Sequence, residues 1–532
     1  MNSVIPRLAA PSPEASGAGT RPAAGVWAVR AADPSLEAVA ETVRALLAPH
    51  LPRVTAADPS GAPRAIVLVH EEIPHAPVPL GLAVADAEHY RIRVDATGIT
   101  CRAGTAAGVF RAATTAIQLI TTGADLTDRE VADGPRHAWR GLLVDPARGF
   151  VTAEELRRVV DVAALYKLNV LHLHLSDNEG WRLELPGLPE LTAAGDGRFY
   201  TVQEYRDLQA YATARFVTLV PEIDLPGHCG ALRAAFPGLP EAPMAEEDGG
   251  IVELLGNFMT LTPPVDLEDD GTARLVERII EQVCALTDGG FVHVGADEAV
   301  GMCHRNYAAA VARLRETVRK FGKQPIAWQE ASRTGVEPGD VVQYWLDGFE
   351  RGDGGSDGDD NEGTMAALGL SPETADRLRA YFAPVAEDLA RIVRGGGRVL
   401  LSPRTSVYLD RPYAASSVPE EQRDTTANLG LAAYPGRPLA DLAAWDPAAL
   451  GIPDDQVAGI EAALWGETID GIDDLTMLLL PRLPAVAEAA WSGGPAPWDD
   501  YRGRLARHGR LWSERGLAYL AAREIDWQAG DG

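Results

Sequence analysis

From Trp139 onward, short apolar segments with strand character alternate with helical segments along this 532-residue chain. The segments with strand character are 141–145, 169–176, 216–224, 291–298, 325–330, 341–345, 399–402 and 460–465. Such alternation is typical of a parallel sheet whose strands are connected by helices. Eight units over this length predict a (β/α)8 TIM barrel, with a doubly wound open sheet as the alternative fold.

One connection in this series is unusually short. Only residues 331–340 separate the fifth and sixth predicted strands. A crossover between parallel strands that contains a helix usually needs a dozen or more residues. We therefore expect the fifth helix of the barrel to be missing or rudimentary.

The chain is predicted to divide into three parts. Residues 1–25 are rich in Pro, Ala, Gly and Ser, and this composition predicts a disordered tail. Residues 26–135 are expected to form a small non-catalytic α/β domain, and residues 136–532 the catalytic barrel. The fold class is therefore α/β, with a small α/β domain that precedes a TIM barrel.

The small domain shows its own local signals. A strand is predicted at 65–69 because apolar β-branched residues dominate that segment. The segments 90–94 and 98–101 flank a turn sequence typical of a hairpin. An apolar stripe at helical spacing predicts a helix at 104–120. These elements carry no recognisable catalytic set, so a structural role is expected.

Composition excludes several classes of function. The formal net charge of −28 makes nucleic acids and anionic membranes unsuitable partners. The chain has no run of 18 or more apolar residues for a membrane span. Its four cysteines form no Cys-x-x-Cys pair, so free thiols are expected. We expect neither a metal nor a cofactor. The tail has no apolar core of signal-peptide length, so a cytoplasmic location is expected, or secretion if the N-terminus is truncated.

The segment 291–298 gives the strongest indication of chemistry, because an apolar strand runs into the adjacent acids Asp297 and Glu298. Neighbouring carboxylates repel, so their pKa values should be pushed apart, and one could hold a proton near neutral pH. A proton held at that pH is what general acid catalysis requires. Taken alone, however, the two residues fit better a solvated pair of acids at a helix N-terminus.

Acidic and tryptophan side chains recur at or just past the C-terminal ends of the predicted strands, where barrel enzymes carry their catalytic groups. Carboxylates bind hydroxyl groups and indole rings stack on the C–H faces of sugars, so the combination indicates a sugar-binding site. For any single tryptophan, core packing is an equally good explanation. The residues are Asp145, Asp177, Glu222, Asp224, Asp297, Glu298, Glu330, Asp347 and Glu467, with Trp181, Trp328, Trp345 and Trp465.

Several specific motifs follow one another at these strand ends. They are Arg140-Gly-Leu-Leu-Val-Asp145 with Arg148, the segment 168–177 with Gly180-Trp-Arg182, the segment 221–228, the segment 293–298, Tyr408-Leu-Asp410, Trp465-Gly-Glu467 and the segment 481–492. In this order they resemble the β-N-acetylhexosaminidases of glycoside hydrolase family 20, and the resemblance runs from about residue 88 to the C-terminus. The segment 293–298 is similar to the family signature His-x-Gly-Gly-Asp-Glu.

The sequence departs from the family pattern at three places. Ala296 replaces the second glycine of the signature, which puts the local turn geometry in question. Gly149 follows Arg148 where the family usually has histidine, and little effect on the chemistry is expected. The segment 346–370 is longer than expected for the sixth strand–helix loop, and its Gly and Asp content predicts a flexible, solvated loop.

The resemblance implies an exo-acting hydrolase that removes terminal non-reducing β-linked GlcNAc or GalNAc from oligosaccharides. Most retaining glycosidases use two carboxylates about 5–5.5 Å apart, but this family uses the substrate's own 2-acetamido oxygen as the nucleophile. Glu298 would protonate the glycosidic oxygen and then deprotonate the incoming water. Asp297 would orient the acetamido N–H and stabilise the oxazolinium intermediate, and Tyr408 would donate a hydrogen bond to the acetamido oxygen.

The resemblance also implies which residues hold the terminal sugar. Trp328, Trp345 and Trp465 would wall the acetamide pocket, and this confinement would position the nucleophile. Arg140 and Glu467 would hold the O3/O4 side of the sugar. N-acetylhexosamine-terminated oligosaccharides are the partners that these roles imply.

The remaining implied residues lie around these groups. Asp410 would bind near O6 of the sugar. Asp177 and His228 would form a polar pair that tunes Glu298, although a structural histidine explains His228 equally well.

Two other functions stay open at this point. The chain could be a carbohydrate-binding protein on a catalytically decayed barrel, but the intact acids and the acetamide-binding set argue against this. It could also be a related glycosidase that releases a disaccharide, which pocket depth would decide.

Overall fold

The computed structural model describes residues 3–9, 20–21, 27–50, 54–55, 64–73, 88–123, 126–245, 261–347 and 382–528. The strands before the barrel are β1 Thr20–Arg21, β2 Trp27–Ala31, β3 Val54–Thr55, β4 Arg64–His70, β5 Tyr90–Asp95, β6 Gly98–Ala103, β7 Leu126–Thr127 and β8 Arg129–Asp133. Among the described residues, six of them form a mixed sheet in the order β3-β2-β4-β6-β5-β8. A small α/β domain therefore precedes the barrel, as predicted.

The local predictions for this domain are confirmed. Strand β4 covers the predicted segment, and β5 and β6 pair in antiparallel fashion as a hairpin. Gly98 adopts φ +141° at the start of β6, where a Cβ would lie 2.1 Å from the carbonyl oxygen of Ala65. The helix Ala106–Thr121 starts at Thr105, whose hydroxyl accepts the backbone N–H of Gly108. With the helix Glu37–Leu47, it packs against this sheet.

The prediction of a disordered tail is wrong for residues 3–9. Val4 and Ile5 are buried, and the backbone of Ile5 exchanges two hydrogen bonds with the side chain of Gln118. The backbone N–H of Arg7 donates to Glu488 at 2.7 Å. Two apolar residues within a Pro- and Ala-rich stretch are thus sufficient to anchor the chain between the small domain and the C-terminal helices.

The second part of the chain forms a closed barrel of eight parallel strands. They are β9 Trp139–Val144, β10 Val170–His174, β11 Thr218–Glu222, β12 Phe291–His293, β13 Gln324–Trp328, β14 Val341–Tyr344, β15 Arg398–Leu401 and β16 Val457–Leu464. Each strand corresponds to one predicted segment. Strand β16 pairs in parallel with β9 and closes the sheet, so the barrel is confirmed and the open sheet is excluded.

Helices follow most of the barrel strands. In the described residues they are Ala153–Leu165, Glu190–Ala193, Val202–Thr213, Gly230–Ala235, Asp270–Leu286, His304–Lys320, Asp388–Arg394, Arg404–Val407, Arg423–Thr426, Leu439–Ala443, Ile472–Leu479, Leu483–Ser492, Trp498–Leu505 and His508–Glu514. Two of the long helices start with a capping box, in which Thr152 pairs with Glu155 and Thr201 with Glu204. Only the 3₁₀ turn Gln329–Thr334 separates β13 from β14, so the rudimentary fifth helix is confirmed.

The barrel interior is layered along its axis. An apolar set fills the N-terminal end and consists of Trp139, Val170, Val220, Ile326, Val341, Leu400 and Ala458. Buried polar side chains occupy the middle, namely His172, Glu222, His293, Gln343 and Glu461. An aromatic set covers them toward the C-terminal ends of the strands. The functional groups of the barrel therefore rest on a polar floor rather than on an apolar core.

Two expectations about the chain as a whole remain. Residues 348–381, which include most of the long sixth loop predicted at 346–370, lie outside the described residues. Among the helices that the structure describes, none combines the length and the apolar character that crossing a bilayer demands.

Candidate active site

The acid-bearing segment leaves β12 through a strained turn. Gly295 and Ala296 adopt φ values of +69° and +75°, and Glu298 adopts +41°. A Cβ on Gly295 would lie 1.7 Å from Asp224 Oδ1, so only glycine fits there. Ala296 accepts the left-handed conformation that the family pattern gives to glycine, at a cost of about 1–3 kcal/mol. Its N–H donates to Asp224 Oδ1 at 3.1 Å, so the same aspartate fixes both residues.

A chain of polar contacts leads from Asp177 through His228 to Glu298. His228 Nδ1 lies 3.0 Å from Asp177 Oδ1, and its Nε2 lies 3.4 Å from Glu298 Oε2. Burial opposes a charged imidazole, but Asp177, Asp224 and Asp297 together raise the pKa of His228 well above its usual range. Burial would likewise raise the pKa of Asp177, but His228 and Arg148 hold it well below its usual range. The predicted polar pair beside Glu298 is therefore formed.

Asp297 forms a second acidic pair with Asp224. One polar atom from each of Asp224, His228 and Asp297 lies within 4.8 Å of the others. Asp224 Oδ2 and Asp297 Oδ1 are buried and accept no hydrogen bond from the described residues. Burial raises the pKa of Asp224 to about 7, and burial together with the charge of Asp224 raises that of Asp297 well above its usual range. The charge of Glu298 also raises the pKa of Asp297, but it contributes less than Asp224, which the sequence expectation had left out.

Four aromatic rings come together at the C-terminal ends of the strands. Trp328 lies 5.9 Å from Trp465 and 6.5 Å from Trp345, between ring centroids. Tyr408 lies almost parallel to Trp345, at 6.3 Å and an interplanar angle of 9°. Burial raises the pKa of Tyr408 well above its usual range, so the phenol stays neutral and can donate a hydrogen bond. The predicted pocket walls are therefore brought together.

Buried carboxylates hold two of these rings. The indole N–H of Trp328 donates to Glu222 Oε1 at 2.8 Å, and that of Trp345 donates to Glu330 Oε2 at 3.1 Å. Burial raises the pKa of Glu330 to about 8, and the charge of Asp297 contributes to this rise. The orientation of the pocket walls is therefore fixed by hydrogen bonds as well as by packing.

Some of the buried polar groups come close enough to ligate a metal. Three groups among the described residues meet this condition: His172, Glu222 and His293; His174, Glu222 and Asp224; and Asp224, His228 and Asp297. Their donor atoms already engage one another, since Glu222 contacts Nδ1 of His174 at 2.5 Å and Nδ1 of His293 at 2.8 Å. Protonated histidines cannot bind a metal, and burial opposed by Glu222 and Asp177 leaves the pKa of His174 well above its usual range. The expectation of no metal stays a prediction.

Asp410, two residues after Tyr408, is a buried carboxyl group that lacks a hydrogen-bond donor among the described residues. It is 1% exposed, and neither of its carboxylate oxygens has a hydrogen-bond partner among the described residues. Burial raises its pKa to about 8, with a further contribution from the charge of Glu467. A buried carboxylate without a donor is costly, so a ligand hydroxyl would stabilise it.

Arg140 does not belong to this site, which corrects the prediction from the sequence motif. It is the second residue of β9 and is fully buried at the N-terminal end of the barrel. Its Nη2 lies 2.6 Å from Glu88 Oε2, and its Nη1 donates to the carbonyl oxygen of His137 at 2.8 Å. Glu88 also binds Arg111 at 2.6 Å, so Arg140 ties the barrel to the small domain.

Arg148 occupies the place that the prediction gave to Arg140. It follows β9 at the mouth, where Nη1 donates to Asp145 at 2.9 Å and Nη2 lies 2.5 Å from Asp177. Its guanidinium also lies 5.3 Å from the ring centroid of Trp465, and its Nε lies 3.7 Å from Glu467 Oε1. Strand register identifies it, because Arg140 begins the strand whereas Arg148 lies past its end.

Two further strand-end residues have structural rather than binding roles. Trp181 is buried in the main hydrophobic core, and its indole N–H donates to the carbonyl oxygen of Leu183 at 2.6 Å. Asp347 accepts the backbone N–H of Thr405 at 3.0 Å and fixes the start of the helix Arg404–Val407. Of the acids and tryptophans predicted at the strand ends, the candidate site therefore contains only those around Asp297, Asp410 and Arg148.

The fold and the site together define a barrel glycoside hydrolase. An acid pair, an aromatic pocket and carboxylates that lack donors meet at the C-terminal mouth of a closed barrel, where such enzymes act. The model of the glycosyl hydrolase family 20 catalytic domain matches residues 137–494, and the model of domain 2 of the same family matches residues 2–134. The chain therefore belongs to glycosyl hydrolase family 20.

Similar proteins agree with this assignment. A β-N-acetylhexosaminidase of Cellulomonas fimi is 35% identical over 457 residues, which cover 83% of this chain and 82% of that protein. An N-acetyl-β-hexosaminidase of Streptomyces plicatus in complex with Thio-NAglucal has a TM-score of 0.76 and 28% identity, over 99% of this chain and 98% of that one. The family 20 β-N-acetylhexosaminidase of Streptomyces coelicolor A3(2) has a TM-score of 0.75 and 27% identity, over 99% of both chains.

Proposed function

We propose that this chain removes terminal β-linked N-acetylhexosamine residues with retention of configuration, and that the 2-acetamido oxygen of the substrate is the nucleophile. The observation that carries the proposal is that the side chains of the two adjacent acids differ in their exposure to solvent. The side chain of Asp297 is 10% exposed and that of Glu298 is 26% exposed. The backbone N–H of Trp328 donates to the carbonyl oxygen of Gly295 at 2.8 Å, so the turn that carries Asp297 packs against the aromatic pocket. Glu298 is the more exposed of the two acids and is therefore the one that faces the glycosidic bond.

Glu298 is the proton carrier in this mechanism. As the acetamido oxygen attacks the anomeric carbon, the glycosidic C–O bond breaks and Glu298 gives its proton to the departing oxygen. Water then attacks the anomeric carbon of the oxazolinium ion, Glu298 takes a proton from it, and the acetamide is restored. His228 lies 3.4 Å from Glu298 and 3.0 Å from Asp177, so this pair orients the carboxyl group of Glu298.

Asp297 and Tyr408 position the nucleophile. Ionised Asp297 accepts the acetamido N–H and stabilises the positive charge of the oxazolinium ion, while the neutral phenol of Tyr408 donates to the acetamido oxygen. Trp328, Trp345 and Trp465 confine the methyl group, and such positioning contributes much of the rate of intramolecular reactions. Asp297 must lose its proton before it can accept a hydrogen bond, and its raised pKa makes this step sensitive to pH.

The other side of the pocket fits one terminal sugar. Asp410 is buried and lacks donors, so a sugar hydroxyl would satisfy it. Arg148 Nε lies 3.7 Å from Glu467 Oε1, and the two residues would bind the O3/O4 side of the sugar, the role that the sequence motif had given to Arg140 and Glu467. These groups leave the pocket suited to an exo-acting enzyme rather than to one that releases a disaccharide. The Streptomyces plicatus enzyme is also known in a mutant form with the product GlcNAc, which supports the same class of substrate.

Assays with p-nitrophenyl β-GlcNAc, β-GalNAc and β-glucoside test the substrate class. We expect activity on the two N-acetylhexosaminides and almost none on the glucoside, because the glucoside has no acetamido oxygen. Proton NMR of the first-formed product tests the mechanism, and a β-anomer is expected. An α-anomer as the initial product would contradict it.

A further inference from the structure

Glu179 stands in the turn that also carries Asp177. The backbone N–H of Asp177 donates to the carbonyl oxygen of Gly180 at 3.0 Å, and Ser176 and Trp181 form a bridge that closes the turn. This turn places Asp177 inside, against His228, and leaves the side chain of Glu179 at the mouth with 42% exposure. Glu179 took no part in the sequence predictions.

Glu179 and Glu467 flank the same nitrogen of Arg148. Glu179 Oε2 lies 3.6 Å and Glu467 Oε1 lies 3.7 Å from Arg148 Nε, and both distances exceed a normal hydrogen bond. The terminal nitrogens of Arg148 already bind the buried Asp145 and Asp177. The two glutamates therefore lie close to the guanidinium without a normal hydrogen bond to it, and their exposure of 42% and 36% leaves room for a further donor.

Close backbone packing fixes the relation between these loops. A Cβ on Gly149 would lie 2.6 Å from the carbonyl oxygen of Gly466, so only glycine allows the loop of Arg148 to approach the loop of Glu467 this closely. The backbone N–H of Gly466 donates to Asp145 Oδ2 at 3.1 Å. The departure from the family pattern at Gly149 is thus tied to the geometry around Arg148.

The local charge balance favours a ligand that donates hydrogen bonds. Four carboxylates among the described residues lie within 4 Å of Arg148: Asp145, Asp177, Glu179 and Glu467. Burial and the charge of Asp177 raise the pKa of Glu179, and burial also raises that of Glu467. Hydroxyl groups of a sugar supply donors without adding negative charge. The buried Asp410 has no hydrogen-bond donor among the described residues, and the charge of Glu467 helps to raise its pKa, so it favours the same kind of ligand.

We propose that Glu179 is a further substrate-binding residue, which accepts a hydrogen bond from one hydroxyl of the C3–C4 diol of the terminal sugar while Glu467 accepts one from the other. Arg148 lies between them and donates to the oxygens of the same diol. This proposal rests on the proposed function.

Deletion of one hydroxyl from the substrate tests the contact directly. Wild type, Glu179→Ala and Glu179→Gln are assayed with p-nitrophenyl β-GlcNAc and with its 3-deoxy and 4-deoxy analogues. We expect Glu179→Ala to lower kcat/KM on the parent substrate roughly 10- to 100-fold, mainly through KM, because a hydrogen bond to a charged acceptor is lost. On one of the two deoxy analogues the same substitution should change kcat/KM less than about 3-fold. Glu179→Gln keeps an acceptor and should lose less on the parent.

Controls separate the contact from a loss of structure. Glu190→Ala removes an exposed glutamate from the start of the helix Glu190–Ala193 and should leave kcat/KM unchanged on all three substrates. A loss with Glu179→Ala that is equal on all three substrates, or no loss on the parent, would overturn the proposal. Absence of wild-type activity on the parent would instead refute the proposed function, so the two failures are distinguishable.

Discussion

Two arginines on the same strand–loop unit of the barrel have opposite surroundings. Arg140 is the second residue of β9, is fully buried, and shares Glu88 with Arg111, so cations exceed carboxylates around it. Backbone carbonyls accept from its remaining guanidinium nitrogens. Arg148 follows β9 at the mouth, where carboxylates exceed cations and two of them remain exposed. Every nitrogen of the Arg140 guanidinium has an acceptor within the protein, whereas the carboxylates at Arg148 and the nearby Asp410 retain acceptors that a ligand can satisfy.

The charged groups around the two arginines therefore differ in role, since those at Arg140 are structural and those at Arg148 are functional. A buried ion pair whose partners are all satisfied holds the fold in one arrangement, and removal of one partner is strongly destabilising. Carboxylates kept buried without donors are unfavourable in the free protein, and a substrate relieves that cost when it binds. The family motif contains both arginines, but only their positions relative to the strand ends tell the two roles apart.

The largest expected effect concerns the functional region. Glu298→Gln keeps the shape of the side chain but removes the proton donor, and general acid–base catalysis typically contributes 10²–10⁴-fold. We expect kcat on chitobiose to fall by roughly that factor, with a smaller loss on aryl glycosides, whose leaving groups need less protonation. Steady-state kinetics on both substrates measure the difference. Equal losses on the two would count against Glu298 as the acid.

The second prediction tests the two arginines against each other. Arg148→Met should lower kcat/KM roughly 10²-fold, because the O3/O4 side of the sugar loses its donor. Arg140→Met should leave kcat/KM within about 3-fold but lower the free energy of unfolding by about 3 kcal/mol, because Glu88 loses a buried partner. Kinetics well below Tm and denaturant titrations give the two quantities. A large kinetic defect in Arg140→Met would contradict the purely structural role of Arg140.

A smaller effect is expected on the pH profile. Burial and the charge of Asp224 raise the pKa of Asp297, which must be ionised to accept the acetamido N–H, so activity should rise with pH through that ionisation. Asp224→Asn removes the charge but keeps an oxygen for the N–H of Ala296. The acidic limb of the kcat/KM profile should therefore move to lower pH. An unchanged limb would show that Asp224 does not control Asp297.

The sequence predicted the barrel well because its strands are short apolar runs bounded by polar groups, and such patterns are local. All eight strands and the missing fifth helix are therefore confirmed. Arg140 was misplaced because its role was taken from the motif, although the predicted strand 141–145 already put it at the N-terminal end. Trp181 was misassigned because the turn that buries it depends on its bridge to Ser176. The influence of Asp224 on Asp297 depends on neighbouring strands that lie far apart in sequence, so no local pattern could reveal it.

The most direct test of the account is inhibition by a thiazoline that mimics the cyclised intermediate. If Asp297 binds the nitrogen of the acetamido group, the wild type should be inhibited strongly, and Asp297→Asn should bind the thiazoline roughly 10²-fold more weakly. Glu298→Gln should retain affinity within about 10-fold, because its role is to transfer a proton and not to hold the acetamide. Equal affinity of the wild type and Asp297→Asn would contradict the role of Asp297, and weak inhibition of the wild type would contradict the assignment of the nucleophile to the substrate's own acetamide.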